Sequence, residues 1–503
     1  MTGARVSRET APTMVSLALL GLLGAGLFHM LSQGWPLLNL DSVLYFQVAS
    51  NIAEGKGYIF ENYARLYYAR GVDDWQFDLH GQLFAPTLAA FASSGRYVDL
   101  IKAAALLNVL ALAAAWAAAW MTLTRFGKLG WTRATLSLAL GLGAMWVGTA
   151  LTGRPEQLIP LVLCIGWILR EAFPKLDPTV LAGLEIALIA AISPLPGSLA
   201  GLIYAYFALR NPNTKAALTA IATLALVAGI GWFVVTWMVS PYSPLEVLKN
   251  TVLQAFSAIG SGWVSRKFVL WEMTLDPRKP GLILVWMLGA AAVIAWTFNQ
   301  STSRLKRVIV VLLGLLLLGV IYKACAEQTL TYNLIGLALI PARHALEVWA
   351  TGEVPAKFAR WFPHALIVAV VFPGFGALEA LRHYPDYRRG ADLAAAQAAL
   401  RPYLDSLSGT QRIVVSEVAY PPTFLLEALP GKILTVGDLT PAQIGQLSSS
   451  FGITVRYVLV SGTPVARDFE ILVNYQVRRR FPICEAAVEC AATGYPFTLF
   501  ELR

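Results

Sequence analysis

Charged residues are scarce in this chain: they make up 14% of its 503 residues, whereas 57% are hydrophobic. A soluble domain normally carries about a quarter charged residues. The deficit is concentrated before about Leu381, where long apolar runs alternate with short polar breaks. Several runs reach the length of about 20 residues that a helix needs to cross a bilayer, among them Met14–Gln33, Ile101–Leu123, Ala216–Val239 and Val308–Cys325. The composition therefore predicts a polytopic helical membrane protein.

The sequence also lacks the motifs of several common functional sites, which excludes the corresponding classes of function. The chain has 5 His and 4 Cys, and none of them form a set with zinc-binding spacing. Gly431-Lys432 lacks the upstream glycine and the following Ser or Thr of a phosphate-binding loop. The net charge of +9 comes from Lys and Arg residues that mostly punctuate the ends of apolar runs. Such a distribution indicates membrane topology and argues against a nucleic-acid partner.

The basic breaks, defined as the short polar segments between apolar runs that carry Lys and Arg, predict the orientation of the chain in the membrane. By the positive-inside rule, the N-terminus is expected to be cytoplasmic, and eleven crossings then leave the C-terminus outside. The inner breaks carry Arg125, Lys128 and Arg133; Lys175; Arg210 and Lys215; Arg304, Lys306 and Arg307; and Lys357 and Arg360. The prediction of two separate crossings at Thr179–Ile192 and Ser198–Leu209 depends on a single break between them, Ser193–Gly197. If that segment were one bent helix, the count would drop and the tail would lie inside.

Two domains are expected. Residues 1–382 form the transmembrane module, with long outer loops at 34–98 and 240–280. Residues 383–503 have the texture of a soluble α/β domain, because Arg412–Ser416 and Val455–Val460 are typical of short buried strands. In this extracytoplasmic tail, Cys484 and Cys490 could form a disulfide, or they could be two unrelated thiols.

The first outer loop is far too long to be a simple connector. It opens with Asp41 at the start of a predicted helix that ends near Gly55-Lys56-Gly57. Tyr45 falls on its apolar face and Gln47 on its polar face, so we expect the helix to lie in the plane of the membrane surface. Asp41 would then sit just above the hydrocarbon, either as a functional carboxylate or as a simple helix cap.

The same loop contains Asp74, Asp78 and His80, ligand types that could bind a divalent metal; a solvated acidic loop is the alternative. Arg154 and Glu156 lie in a very short outer turn at the membrane face. Charges at this depth are often functional, but a salt bridge that packs two helices would also account for them.

Basic residues break the positive-inside pattern in the second outer loop. Arg266 and Lys267 lie beside aromatic residues there, which suits a lipid-borne phosphate. Lys323 and Glu327 belong to a further polar group at the outer turn before the tenth predicted crossing.

Several short motifs together resemble a known family. They are Asp41-x3-Tyr45-x3-Ala49-x5-Gly55-x-Gly57, the segment His80-Gly81-x4-Pro86, the Gly-Arg-Pro-Glu turn and Tyr332-x8-Pro341. Over about Met14–Leu381 the chain is similar to the GT-C class of membrane glycosyltransferases that use polyprenyl-phosphate sugars, such as the aminoarabinose transferases and protein O-mannosyltransferases. Many members carry Asp-Glu where this chain has Asp41-Ser42.

The resemblance implies an inverting glycosyltransferase. Asp41 would be the general base, with Glu156 or Asp74 orienting the acceptor or binding a metal. The donor phosphate would be held by basic residues: Arg266, Lys267, Lys323 and Arg154. Tyr45, His80 and Glu327 would complete the site. No cofactor is certain, and a divalent metal is optional in this class.

The partners would be a polyprenyl-phosphate-sugar donor, a glycan, lipid or protein acceptor, and the bilayer. The expected location is a bacterial inner membrane with the site on its extracytoplasmic face. Two alternatives stay open. Intramembrane charges and broken helices suit a transporter of a lipid-linked or anionic substrate. An O-antigen ligase would also use a lipid-linked sugar, but its dominant outer loop comes late in the chain.

Overall fold

The structure is a computed structural model of the whole chain. It describes residues 2–32, 40–60, 75–76, 81–128, 130–150, 153–211, 213–260, 290–291, 294–295, 297–299, 301, 303–326, 337, 339–352, 361, 363–364, 401–416, 433–436, 448–449, 452–461, 475–481 and 497–503.

Twelve α-helices have defined bounds within these residues. In chain order they are α1 (Thr2–Ser32), α2 (Leu40–Ala53), α3 (Phe84–Phe91), α4 (Tyr97–Arg125), α5 (Trp131–Ala150), α6 (Leu158–Ala172), α7 (Pro178–Ile192), α8 (Pro194–Leu209), α9 (Thr214–Val239), α10 (Pro244–Gly260), α11 (Arg304–Ala326) and α12 (Leu339–Thr351). A short 3₁₀ turn, Pro155–Gln157, precedes α6, and a two-stranded ribbon pairs β1 (Ile59–Phe60) with β2 (Trp75–Gln76).

Three of the described helices are long and apolar enough to cross a membrane: Thr10–Ser32 in α1, Asp99–Arg125 in α4, and α9. The surface of α9 is that of a lipid-facing helix, because its large apolar side chains point away from the protein. Trp237 and Met238 are 69% and 72% exposed. Such a surface would be unstable in water over this length. The chain is therefore an integral membrane protein, as its composition predicts.

The bundle has two distinct ends, which the contacts between helices define. At the first, called here the loop end, Gly81 meets the last residues of α7, and Tyr58 meets Val239 at the end of α9. At the second, the basic end, Lys306 donates to the carbonyl of Asn211 just after α8, and Arg125 at the end of α4 pairs with Glu171. The described residues of the first outer loop thus meet the end of α9 at one end of the bundle, and the described basic residues Arg125 and Lys306 lie at the other.

The segment on both sides of the predicted break at Ser193–Gly197 is a helical hairpin. Ser193 is extended (φ −155°, ψ 118°) and separates α7 from α8. The two helices pack antiparallel, since a Cβ added at Gly197 would lie 2.5 Å from Cα of Ala190, and one at Gly201 would lie 3.8 Å from Ile186. The segment is therefore two helices rather than one bent helix. Each helix, at 15 or 16 residues, is about 22–24 Å long, which is shorter than a bilayer core.

Gly81 lies where the first outer loop crosses the end of α7. A Cβ built on Gly81 would lie only 1.8 Å from the carbonyl oxygen of Ile192, and the next residues are tied down by the hydrogen bond from Leu83 N to Ala191 O (3.0 Å). The carbonyl oxygens of Ile192 and Ala191, which that Cβ would meet, are backbone atoms, so they cannot rotate away as a side chain could. This close approach explains why a glycine stands in the His80-Gly81-x4-Pro86 motif.

Replacing Gly81 with Ala is expected to destabilise the protein by about 1–3 kcal/mol, the usual cost of overpacking. The midpoint of thermal unfolding of the purified protein in detergent would fall accordingly. Gly26→Ala is the matched control, because a Cβ at Gly26 meets nothing within 4 Å and Ala is the better helix former. Equal midpoints for the two variants would contradict the close approach at Gly81.

The C-terminal part contains a five-stranded sheet in the order β4-β3-β5-β7-β6, with strands β3 (Gln411–Ser416), β4 (Ile433–Val436), β5 (Thr454–Ser461), β6 (Tyr475–Phe481) and β7 (Phe497–Leu502). β3 is parallel to both neighbours, whereas β7 is antiparallel to β5 and β6. The two strands predicted from sequence, at Arg412–Ser416 and Val455–Val460, are present as β3 and β5. The predicted domain boundary at residue 383, like Cys484 and Cys490, lies outside the described residues.

Candidate functional site at the loop end

Helix α2 carries the first candidate, Asp41, in its first turn. The predicted helix and its end are confirmed: α2 spans Leu40–Ala53, and Gly55 and Gly57 follow with positive φ angles of 76° and 87°. The Asp41 side chain is outside the described part of the structure. The backbone nevertheless puts Asp41 at the start of a helix within the first outer loop.

The orientation of α2 relative to the membrane stays a prediction, but its polar face is not open to water as that of an interfacial helix would be. Its polar face is as buried as its apolar face, since Gln47 and Asn51 are 4% and 3% exposed, and Phe46 and Val48 are fully buried. A helix that floats in the interface exposes its polar side chains to water. The hydrophobic pattern identified one buried face of α2, but it could not reveal that other helices cover the second face.

Tyr45 contributes to this packing. Its ring is 6% exposed and lies edge-on to Phe84 of α3, with the ring centroids 5.4 Å apart. Edge-to-face contacts of this kind stabilise cores beyond simple area burial. The contact ties α2 to α3, so Tyr45 supports the helix that carries Asp41.

Tyr58 joins the first outer loop to the beginning of the second, a link that sequence reasoning missed. Its hydroxyl lies 3.0 Å from the carbonyl oxygen of Gln82 and 2.6 Å from that of Val239. Burial, assisted by nearby Tyr242, raises the pKa of Tyr58, so the hydroxyl keeps its proton and remains a donor. Ser240 donates to Oε1 of Gln82 (3.0 Å), and the Tyr242 hydroxyl donates to the Tyr58 carbonyl (3.1 Å).

These contacts form an interlock, defined here as Tyr58, Gln82, Ser240 and Tyr242. The four residues are up to 184 positions apart in sequence. No spacing rule connects residues this distant, and each residue type alone is unremarkable in a loop. The interlock therefore cannot be predicted from sequence patterns, and only the folded structure shows it.

The turn before α6 carries two of the predicted site residues, Arg154 and Glu156, and their charged side chains pair with each other. Nε of Arg154 lies 3.3 Å from Oε2 of Glu156, and both side chains are largely buried, at 11% and 6% exposure. Gln157 fixes this turn: it accepts from the Gly153 amide (2.5 Å) and donates to the Ala104 carbonyl on α4 (3.2 Å). This geometry favours the packing interpretation of Arg154 and Glu156 over separate roles in phosphate binding and catalysis.

The remaining candidates fall outside the described residues. Lys323 lies in the last turn of α11, but its side chain is not among those described. The others have no described position: Asp74, Asp78, His80, Arg266, Lys267 and Glu327. Among the described residues, no group of three or more His, Cys, Asp or Glu side chains could hold a metal ion. The possible metal at Asp74, Asp78 and His80 thus stays a prediction.

A second polar site lies inside the helix bundle and was also missed. Glu185 of α7 is 3% exposed, and its Oε1 lies 3.2 Å from Nη1 of Arg343 on α12 and 4.0 Å from Nη2 of Arg170 on α6. The Tyr204 hydroxyl of α8 donates to Glu185 and receives a hydrogen bond from Nη2 of Arg343 (3.0 Å). Four helices thus meet at one carboxylate, in an arrangement called here the buried ion cluster.

One signal in the sequence could have indicated this cluster. Glu185 is the only charged residue between Pro178 and Ile192. An isolated acid in an apolar helix is costly to insert, so it implies a cationic partner on another helix. Arg343 is the described residue that fills this role most closely.

The fold and the loop end define the chain as a helical membrane protein in which described residues of the first outer loop bond to the start of the second at one end of the bundle. No family model matches the sequence, and no curated protein matches it. Two solved structures of ArnT from Cupriavidus metallidurans align with it: the complex with undecaprenyl phosphate and the apo state. The first covers 96% of this chain and 97% of that chain, at 11% identity and a TM-score of 0.41. The second covers 98% of each, at 12% identity and a TM-score of 0.44. Likeness at this level does not by itself establish a fold or a function.

Proposed function

We propose that the protein is an inverting glycosyltransferase of the GT-C class, which moves a sugar from a polyprenyl-phosphate donor to an acceptor hydroxyl. The observation that carries the proposal is the interlock. It ties the first outer loop, whose helix α2 carries Asp41 in its first turn, to the start of the second outer loop, which carries Arg266 and Lys267. The motifs in the first loop, the Gly81 contact and the membrane-spanning helices are consistent with it.

The reaction needs two functions from the protein. The acceptor oxygen attacks the anomeric carbon, its proton passes to Asp41, and the bond from that carbon to the phosphate oxygen breaks. The lipid phosphate leaves with the bonding electrons. It needs cationic groups to hold its charge more than it needs protonation. Arg266, Lys267 and Lys323 would serve this purpose, whereas Arg154 is already paired with Glu156.

Asp74 would have the supporting role, in orienting the acceptor or in holding an optional metal with Asp78 and His80. Since Glu156 pairs with Arg154, we assign that carboxylate to shaping the loop end. The site would face the extracytoplasmic side of a bacterial inner membrane, where the C-terminal domain of residues 383–503 could cover it or recognise the acceptor.

A panel of radiolabelled polyprenyl-phosphate sugars tests the proposal. Purified protein in detergent is expected to bind at least one of these donors and to release or transfer its sugar. Donor binding without any release, over a range of acceptors and metal ions, would contradict the enzymatic role. Failure to bind any donor would overturn the class and favour a transporter.

The transporter is the second candidate because of the buried ion cluster. Charges within a membrane bundle often mark a substrate or proton path. The Glu185 carboxylate, however, is already engaged by Arg343 and Tyr204, which suits a fixed contact between helices better than a site that exchanges ligands. Counterflow of a labelled anionic substrate in proteoliposomes, with no sugar transfer, would favour the transporter.

A further inference from the structure

Helix α10, at the start of the second outer loop, carries a stripe of large apolar side chains on its exposed side. Leu245, Leu248 and Val252 are 66%, 46% and 42% exposed. They follow one another at spacings of three and four residues, so they lie on one side of the helix within an arc of roughly 60°. A contiguous apolar surface of this kind marks contact with another molecule or with a membrane.

The rest of the first two turns of α10 separates into a polar side and a side that faces the protein. Glu246 and Lys249 are exposed beside the apolar stripe. Val247 is 3% exposed, and Thr251 follows it by one turn on the same, protein-facing side, where its hydroxyl donates to the Val247 carbonyl (2.8 Å). A helix at the junction of protein, water and lipid needs three such sides.

The exposed polar side distinguishes α10 from α2. Gln47 and Asn51 of α2 are covered by the protein, whereas Glu246 and Lys249 of α10 reach the surface. Helices that lie in a membrane interface bury their apolar side among the lipids and leave their polar side in water. Of these two loop helices, α10 is the one with that arrangement.

The apolar stripe follows directly on the lipid-facing surface of α9. Trp237 and Met238, near the end of this membrane-spanning helix, are 69% and 72% exposed, and Leu245 comes seven residues after Met238. A tryptophan at the end of a membrane-spanning helix is typical of the headgroup level. The chain therefore leaves the hydrocarbon shortly before α10 begins.

A short, bonded turn holds the start of α10 near that level. The Ser240 amide donates to the Thr236 carbonyl of α9 (2.9 Å), and the Tyr242 amide donates to Oγ of Ser240 (3.1 Å). The Tyr242 hydroxyl, which donates to the Tyr58 carbonyl (3.1 Å), fixes the turn to the first outer loop. Even fully extended, the four residues between the helices span only about 14 Å. The lipids that surround the end of α9 are thus within reach of the apolar stripe.

From these observations we infer that α10 is an interfacial helix, which inserts Leu245, Leu248 and Val252 among the lipids of the leaflet at the loop end. Its partner is the acyl-chain region of that leaflet. The polar side carries one acid, Glu246, and one base, Lys249, so the contact is apolar and does not select anionic headgroups. Through Tyr242, α10 links the interlock to the membrane surface. The inference does not depend on the proposed transferase activity.

Spin labelling of the full chain in lipid vesicles tests this inference. A ketone-bearing amino acid, which couples to a nitroxide and leaves the native cysteines intact, replaces Leu248 in one variant, Leu245 in a second and Glu246 in a third. All three side chains are exposed, so the labels should not disturb packing. The collision rates of each nitroxide are measured with oxygen, which concentrates among acyl chains, and with a nickel chelate, which stays in water.

The ratio of oxygen to nickel collisions is expected to be at least about tenfold higher at Leu245 and Leu248 than at Glu246, because an interfacial helix sinks only its apolar side below the headgroups. A label at Leu226, which is 63% exposed on α9, is the matched reference for a lipid-facing position. The ratios in phosphatidylcholine and phosphatidylglycerol vesicles should agree within about twofold, since the contact is apolar.

Four results would overturn the inference. Low ratios at all three α10 positions would place the helix in water, and high ratios at all three would immerse it completely. A label at Leu248 that neither reagent reaches would show that another part of the chain covers the stripe. A high ratio in phosphatidylglycerol alone would show that charge, and not apolar contact, holds α10 at the membrane.

Discussion

Asp41→Asn is expected to reduce sugar transfer by a factor of about 10²–10⁴, the range over which a positioned general base contributes. An amide cannot accept the proton of the acceptor hydroxyl, and it has nearly the shape of the carboxylate, so donor binding and folding should be retained. Transfer from the active donor, donor affinity and thermal unfolding would be measured together on the purified protein. The expected pattern is lost turnover with unchanged affinity and stability.

Glu54→Gln is the matched control for this variant. Glu54 directly follows the end of the same helix, α2, and its carboxylate is exposed and paired with Lys56 at 2.8 Å. It should retain full activity. Undiminished turnover in Asp41→Asn would refute the assignment of Asp41 as the base while leaving the transferase class intact. A helix cap, the simpler alternative that the sequence left open, would instead leave Asp41→Asn stable and fully active, whereas Asp41→Ala, which removes the side-chain acceptor, would unfold at a lower temperature.

Arg343→Met has the second large expected effect, a loss of about 3–5 kcal/mol of stability, because it leaves the buried carboxylate of Glu185 without its ion-pair partner. Arg343 is also the donor to Tyr204, so its loss disturbs contacts among α7, α8 and α12. The change would be measured as a lowered midpoint of thermal unfolding in detergent. Methionine keeps much of the side-chain volume, which limits the effect of an added cavity.

Two comparisons isolate the charge effect. The double variant Glu185→Leu/Arg343→Met removes both charges and should recover most of the lost stability, since replacing a whole buried pair is often near neutral. Arg401→Met removes a partner of the exposed Arg401–Asp405 pair and should cost no more than about 1 kcal/mol. A double variant as unstable as Arg343→Met alone would show that the ion pair is not the reason for the loss.

The predictions that succeeded rested on local signals. The apolar runs of α1, α4 and α9 are long enough to be recognised without any partner, and Gly55 and Gly57 mark the end of α2 because the backbone there has positive φ. Strands β3 and β5 were recognised from short runs of β-branched residues. Each of these features depends on residues that are neighbours in the chain.

The predictions that failed or were missing depended on contacts between distant segments. The polar face of α2 was expected in water, but Gln47 and Asn51 are covered by the protein. The pairing of Glu185 with Arg343 spans 158 positions, and the bond from Tyr58 to Val239 spans 181. A hydrophobic pattern reports whether a side chain prefers water or an apolar environment, but not which segment will cover it.

The sequence by itself therefore determined the class of this protein: an integral membrane protein, with basic breaks grouped apart from two long loops, because hydropathy and charge act residue by residue against the bilayer. The tertiary structure decided how the parts meet. It made α7 and α8 a hairpin, joined the two loops through Tyr58, paired Arg154 with Glu156, and enclosed Glu185 among four helices. Those arrangements arise from packing and from the need to satisfy each buried polar group, which only the assembled bundle can specify.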